Sequence, residues 1–155
     1  MKIDSIPGES RKKGHENQIE IISWQFGLHQ EASVSHGSGS GAGRVSAQDV
    51  VLTKMICKAD AALMQHCCSA KHIPEATIFC EKAGGDSRVE YVKIVLKQVI
   101  VTTHNVSGAE GGDQVSVQLS LNFAEYEITY TQQSNDGTPG ASTTQGWHVA
   151  EDRKV

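Results

Sequence analysis

The sequence predicts a mainly β fold with one helix, and three observations lead to that class. Apolar residues recur at every second position in several stretches, as in strands with one face on a core. Only the segment at about residues 60–70 has the composition of a helix. Gly-rich turn sequences separate the strand-like stretches, and the 155 residues include 15 Gly. One helix therefore packs at the side of a β body.

Two of the alternating stretches change face along their length. Apolar residues fall on odd positions at Ile19 and Ile21 and on even positions through 22–28. The alternation over 115–123 is followed by the opposite parity over 126–130. A bulge or a strong twist turns a strand in this way. We therefore expect strands that bend around a closed or nearly closed β-barrel rather than a flat sheet.

Further strand-like stretches raise the expected number to roughly six to eight strands. They cover 45–55, 76–82, 89–103 and 143–149. Turns are predicted at Gly84-Gly85-Asp86, Gly111-Gly112-Asp113 and Asn135-Asp136-Gly137.

Asp60 is predicted to cap the one helix, because its side chain can accept from the free amides that follow. The next eight residues, 61–68, contain no Gly, Pro or β-branched residue. Leu63 with Cys67, and Met64 with Cys68, lie one turn apart. We expect this apolar stripe to face the barrel.

Length and composition predict a single domain over residues 1–155. A chain of this size buries roughly 70% of the surface that its unfolded form exposes, so it needs neither metal nor disulfides to fold. The formal net charge of −4 disfavours a nucleic-acid partner. Apolar runs are too short to span a membrane, and the first nine residues do not form a secretory signal. Composition alone places the chain in the cytosol.

The segment 36–43 is the one low-complexity stretch, and we expect it to form a long Gly/Ser-rich loop. A phosphate-loop interpretation fails, because the loop lacks a Gly-Lys-Ser/Thr ending and runs into an extended stretch after Arg44.

Catalytic and metal sites are poorly supported, so no enzyme and no cofactor is predicted. Cys57, Cys67, Cys68 and Cys80 lack zinc-site spacing and are expected to be buried thiols. A soft-metal site from the adjacent pair with His66 or His72 is the less favoured alternative. Most of the seven His lie in polar contexts, and Glu125 and Glu127 fit a solvated strand face. What the residues favour is an assembly subunit or a binding module.

Ordered blocks of residues carry a family resemblance that spans nearly the whole chain. They are Ile6-Pro7-Gly8-Glu9-Ser10, Ile19-Glu20-Ile21, Ser23-Trp24, Gly41-Ala42-Gly43-Arg44-Val45, Gln48-Asp49, Thr53-Lys54, Ala70-Lys71-His72-Ile73, Glu75-Ala76, Lys82-Ala83-Gly84-Gly85, Glu90-Tyr91, Ser120-Leu121-Asn122-Phe123-Ala124, Tyr130-Thr131 with Gln133, Asp136-Gly137 and Gly146-Trp147. In this order they resemble the haemolysin-coregulated protein (Hcp) family, the tube protein of the bacterial type VI secretion system.

The resemblance implies a tight β-barrel of two packed sheets with a lateral helix. It implies homohexameric rings that stack into a hollow tube, work with spike, sheath and effector proteins, and carry effectors in the lumen. It also implies assembly in the bacterial cytoplasm, then secretion without a signal peptide or membrane insertion. Ring stacking is assigned to the loop residues Gly37, Ser38, Gly39, Ser40, Gly41, Ala42, Gly43 and Arg44, with Arg44 expected to meet an acidic group of the adjoining ring.

The chain departs from the family pattern at the helix start (Asp60-Ala61-Ala62), at Ala70, where Gly is usual, and at Glu81, where a basic residue is common. The alternative function is a monomeric β-barrel or lectin-like binding module.

Overall fold

The computed structural model describes residues 1–32, 42–84, 87–134 and 137–155, and these residues form ten strands and one helix. In chain order they are β1 (Ser23–Gln25), β2 (Leu28–Ala32), β3 (Ala42–Ala47), β4 (Val50–Met55), α1 (Ala59–Ser69), β5 (Ile73–Gly84), β6 (Ser87–Ser107), β7 (Ser116–Asn122), β8 (Glu125–Gln133), β9 (Pro139–His148) and β10 (Arg153–Lys154).

Eight of the strands form one antiparallel sheet in the order β1-β4-β7-β6-β8-β9-β10, with β5 also paired to β6. The 21-residue strand β6 joins the two halves of this sheet. Its first part pairs with β5 and β8, and its last part pairs with β7. The remaining strands, β2 and β3, pair with each other in a separate two-stranded sheet, and among the described residues they have no other strand partner.

A bend in the middle of β6 turns the two halves of the sheet toward each other. Gln98 has a φ of 51°, and the register with β7 shifts between Val101 and Thr103. Such irregularities bend a strand and increase its twist. Side chains from both halves meet in one buried cluster that includes Leu52, Ile78, Ile94, Leu96, Leu119 and Leu121.

The predicted closed barrel is not formed. Strands β1 and β10 are the two ends of the hydrogen-bonded path, and no ladder joins them within the described part of the chain. Closure requires the terminal strands to pair, whereas here the bend in β6 stacks the two halves and leaves their edges open. The prediction of a mainly β fold with one lateral helix is confirmed.

The predicted face switches have a different origin from the one expected. The parity change after Phe123 marks a turn between β7 and β8, where the Ala124 amide donates to the Lys97 carbonyl. Ile22 and Trp24 are 60% and 37% exposed because they lie at or beside the edge strand β1. Of the even-numbered residues in that stretch, Phe26 reaches the core and packs edge-on against Phe123 and Tyr126.

Helix α1 forms at the predicted place but not with the predicted cap or face. Lys58 is the N-cap residue and makes no side-chain cap bond, while Asp60 lies within the first turn. The buried face is formed by Ala59, Asp60, Leu63 and His66, and Cys67 is partly buried. Met64 and Cys68 point to solvent, so half of the predicted stripe is wrong. No helix in the described part of the chain is long and apolar enough to cross a membrane.

Candidate assembly surfaces

The predicted stacking loop lies partly outside the described residues. Positions 37–41 are not described, whereas Ala42, Gly43 and Arg44 belong to strand β3. The stretch Gln30–Arg44 is therefore not one continuous loop, because Gln30 pairs with Val45 and Ala32 with Ala42. The stacking role of these residues stays a prediction.

The β2–β3 hairpin joins the body at Gly27 and Gln48. The Gln48 amide donates to the Gly27 carbonyl at 2.9 Å. A Cβ on Gly27 would lie 2.6 Å from the Gln48 side-chain oxygen, so a larger residue there would displace the Gln48 side chain. Farther along the hairpin, Arg44 Nη2 donates to the carbonyl of Val149 at 3.0 Å and to that of Ala150.

The half-sheet β5-β6-β8-β9 has two open edges on opposite sides. On the β9 side, strand β10 covers Trp147 and His148, and the Val155 amide donates to the Gly146 carbonyl. Within the described residues no strand pairs with the outer edge of Pro139–Gln145. On the β5 side, an isolated bridge from Lys2 covers Thr77, and the described chain adds no further strand beyond it. Strand β9 carries no Lys, Arg, Asp or Glu.

An open cleft of about 460 Å³ lies beside the β5 edge, between β1, the N-terminal segment and residues 78–81. Trp24 spans it, and its indole N–H donates to the Cys80 sulfur at 3.2 Å. Ile22 is exposed next to this cleft, as are Met55 and Ile56 beyond it. Exposed apolar residues grouped in this way are typical of interaction surfaces.

Glu81, the acidic residue at a position that is commonly basic in the family, has partners within the chain. His15 Nε2 lies 2.6 Å from its carboxylate, and Lys12 forms an ion pair with it. Burial raises the pKa of Glu81, but the hydrogen bonds from Lys12 and His15 outweigh it and hold the pKa below its usual 4.5. The charge at Glu81 therefore fastens the N-terminal segment to β5.

A buried polar cluster joins α1 to the sheet, and the sequence reasoning missed it. Lys54 is fully buried, and its ammonium donates to Asp60 Oδ2 at 2.6 Å and to the Met55 carbonyl at 2.8 Å. His104 Nε2 donates to Asp60 Oδ1 at 2.9 Å, and the Cys57 amide donates to Oδ2. We call Lys54, Asp60 and His104 the α1 junction.

The electrostatics of the α1 junction favour a charged Asp60. Burial raises the pKa of Asp60, but the bonds from Lys54, the Cys57 amide and His104 outweigh it and hold the pKa below its usual 3.8. The sequence contains a signal for the burial of Lys54. Val50, Leu52 and Lys54 occupy alternate positions of β4 and therefore lie on the same face, which is the core face.

The residues considered for catalysis or metal binding are dispersed. Glu125 pairs with Lys97 at 2.5 Å on the sheet surface. His66 and His104 are buried rather than exposed, and His66 Nδ1 donates to the Ala62 carbonyl. All four cysteines are free thiols, but the expectation of burial is wrong, because Cys57, Cys67 and Cys80 are only partly buried and Cys68 is exposed. The described residues contain no group of three or more His, Cys, Asp or Glu side chains placed to hold a metal ion.

Comparison with known proteins identifies the family. The family model for the type VI secretion system effector Hcp matches residues 1–130. Protein hcp1 of Pseudomonas aeruginosa is 38% identical over 152 residues, which are 97% of this chain and 94% of that protein.

Solved structures agree with this assignment. Hcp1 from Salmonella typhimurium matches with a TM-score of 0.82 at 32% identity, over 99% of this chain and 95% of that one. A structure described as a type six secretion system protein matches with a TM-score of 0.92 at 23% identity, over 99% and 96%, and supports the fold alone. Fold and sequence together define a component of the type VI secretion machinery. The chain belongs to the Hcp family, the tube proteins of that system.

Proposed function

We propose that this protein is the subunit of a type VI secretion tube. Copies assemble into six-membered rings in the bacterial cytoplasm, and the rings stack into a hollow tube. The sheath ejects the tube with its spike, and effectors travel in the lumen. The family membership supports this proposal at the level of the machine. The open edges of the half-sheet support it at the level of the subunit.

The observation that carries the proposal is the pair of different edges on opposite sides of one half-sheet. An exposed strand edge offers unpaired backbone N–H and C=O groups to another chain, and soluble monomers usually protect it with charge or a cover. The β9 edge has neither over Pro139–Gln145 in the described structure. Two unlike edges that meet head to tail generate a ring when the rotation closes. We assign the β9 edge of one copy to the β5 edge of the next.

Adding charge to the β9 edge tests this assignment. Thr143 and Gln145 are exposed, so the double substitution T143K/Q145K should change the free energy of unfolding by less than about 1 kcal/mol. The same two lysines should oppose strand pairing with a second copy. Native mass spectrometry at micromolar concentration should show hexamers for the wild-type protein and monomers for the double variant.

A matched control carries the charge elsewhere. Ala109 is exposed in the connection between β6 and β7, so A109K should leave the hexamer intact. If T143K/Q145K still forms hexamers, the β9 edge does not lie in the interface between copies. A wild-type protein that is monomeric at ordinary salt would instead refute the ring.

A second candidate function is the monomeric binding module, which the 460 Å³ cleft beside β5 favours. Its lining combines Trp24 with the ionisable side chains of Lys12, His15 and Glu81. A monomer that binds a small molecule in this cleft would support that candidate over the tube subunit.

A further inference from the structure

The β2–β3 hairpin depends on the body for its direction. Two strands alone are marginally stable in water. The pairing of β2 with β3 places Leu28 opposite Ala47, and Leu28 is 46% exposed. At its base the hairpin is tied by the backbone bond between Gln48 and Gly27, and Ala47 packs against the core there. A two-stranded ribbon held only at its base swings about that point unless a second contact, farther along the ribbon, fixes it.

Arg44 supplies the second contact. An open cleft of about 510 Å³ separates the hairpin from the turn between β9 and β10, so the two do not pack flush. The guanidinium of Arg44 bridges this gap and donates to the carbonyls of Val149 and Ala150. A charged donor makes stronger hydrogen bonds than a neutral one, and the planar guanidinium restricts their direction.

The acceptor turn is itself fixed to the body. The Val149 amide donates to the Ala124 carbonyl at 2.8 Å, and Val149 packs against the core. The Glu151 amide donates to His148 Nδ1 at 3.1 Å. Both carbonyls that accept from Arg44 therefore belong to a preorganised platform, and a bond to them anchors the hairpin to the body.

We infer that Arg44 is a positioning residue that clamps the β2–β3 hairpin at a fixed angle to the body. The consequence for assembly rests on the proposed function: a clamped hairpin meets the next ring in one orientation, whereas a free hairpin does not. Arg44 then acts within its own chain, by fixing the direction of the hairpin. The family resemblance alone would instead place Arg44 against an acidic group of the adjoining ring.

Amide hydrogen exchange of the full chain tests the clamp directly. Loss of the charged hydrogen bonds in R44A should speed exchange of the β2–β3 amides by roughly tenfold or more, while the β8–β9 amides stay unchanged. R44K keeps the charge and one donor group and should exchange at an intermediate rate. R153A is the matched control, because Arg153 lies beside the same turn but pairs with Glu151.

Electron microscopy of the same variants tests the consequence for stacking. R44A should form rings that stack less than wild-type rings, and R153A should stack normally. Unchanged exchange in R44A would overturn the clamp, and faster exchange with normal stacking would overturn its role in assembly. A wild-type protein without rings would refute the proposed function, while the exchange rates would still decide whether the clamp exists.

Discussion

Polar groups at the α1 junction are buried and bonded within the chain, whereas backbone groups on the outer side of the β9 edge face solvent. At the junction, Lys54 and Asp60 are buried and bond each other, the backbone and His104 within one chain. At the β9 edge, the outward-pointing backbone groups of Pro139–Gln145 face solvent in the described structure, whereas the inward-pointing groups pair with β8, and the segment carries no charged side chain.

The difference separates what stabilises the single chain from what, under the proposed function, joins one copy to the next. A buried charge with all its partners in the chain costs stability when one partner is removed, because the other stays buried and uncompensated. An exposed edge adds little to the stability of the subunit but offers a full set of backbone partners to a second chain. We expect substitutions at the junction to affect folding, and substitutions at the edge to affect assembly.

The largest expected effect is at Lys54. In K54A the Asp60 carboxylate loses its ammonium partner inside the protein, and the free energy of unfolding should fall by about 3–5 kcal/mol. Urea denaturation monitored by tryptophan fluorescence measures it. The matched control is K97A, because Lys97 pairs with Glu125 on the surface and is 47% exposed. That variant should lose about 0–1 kcal/mol. Equal losses of unfolding free energy in K54A and K97A would show that the buried ion pair contributes no more to stability than the exposed one.

The pH dependence of stability is a second, smaller test of the junction. Since the folded pKa of Asp60 lies below its usual 3.8, its contribution is complete above that value and is lost as the pH falls through the folded pKa. D60N has no carboxyl group to protonate there. Urea titrations from about pH 3 to about pH 6 should therefore show a shallower decline for D60N than for the wild-type protein. Parallel curves would mean that Asp60 has no lowered pKa.

The sequence pattern predicted the strands that have one apolar face and one polar face. Val117, Leu119 and Leu121 alternate with polar residues, and all three are buried in β7. The prediction failed where a chain turn imitates a face switch, as at Phe123 and Ala124. Periodicity records which residues face a core but not whether the chain continues straight between two runs.

Parity places Lys54 on the core face of β4, but its partners in the α1 junction, like the open edges, cannot be predicted from local pattern. His104 lies 44 residues from Asp60, so only the pairing of distant strands brings them together. Likewise, nothing within β9 distinguishes an edge strand from a central one, because that depends on the sheet order. The family resemblance supplied the assembly, and the structure supplies the edges on which the proposed assembly depends.

The smallest predicted effect concerns the C-terminal end of α1, where one residue has a left-handed backbone conformation. Ala70 is the C-cap residue and has a φ of 49° and a ψ of 31°. Residues other than glycine are disfavoured in this left-handed region by about 1–2 kcal/mol. A glycine at position 70 removes that strain, but the larger conformational entropy of glycine in the unfolded chain cancels part of the gain in stability. A70G should therefore raise the free energy of unfolding by roughly 0.5–1 kcal/mol. The control is A61G, at an exposed helical position with ordinary geometry, which should lower it by about 1 kcal/mol. Thermal unfolding of the two variants should move in opposite directions, and a loss of stability in both would show that the strain at Ala70 is absent in solution.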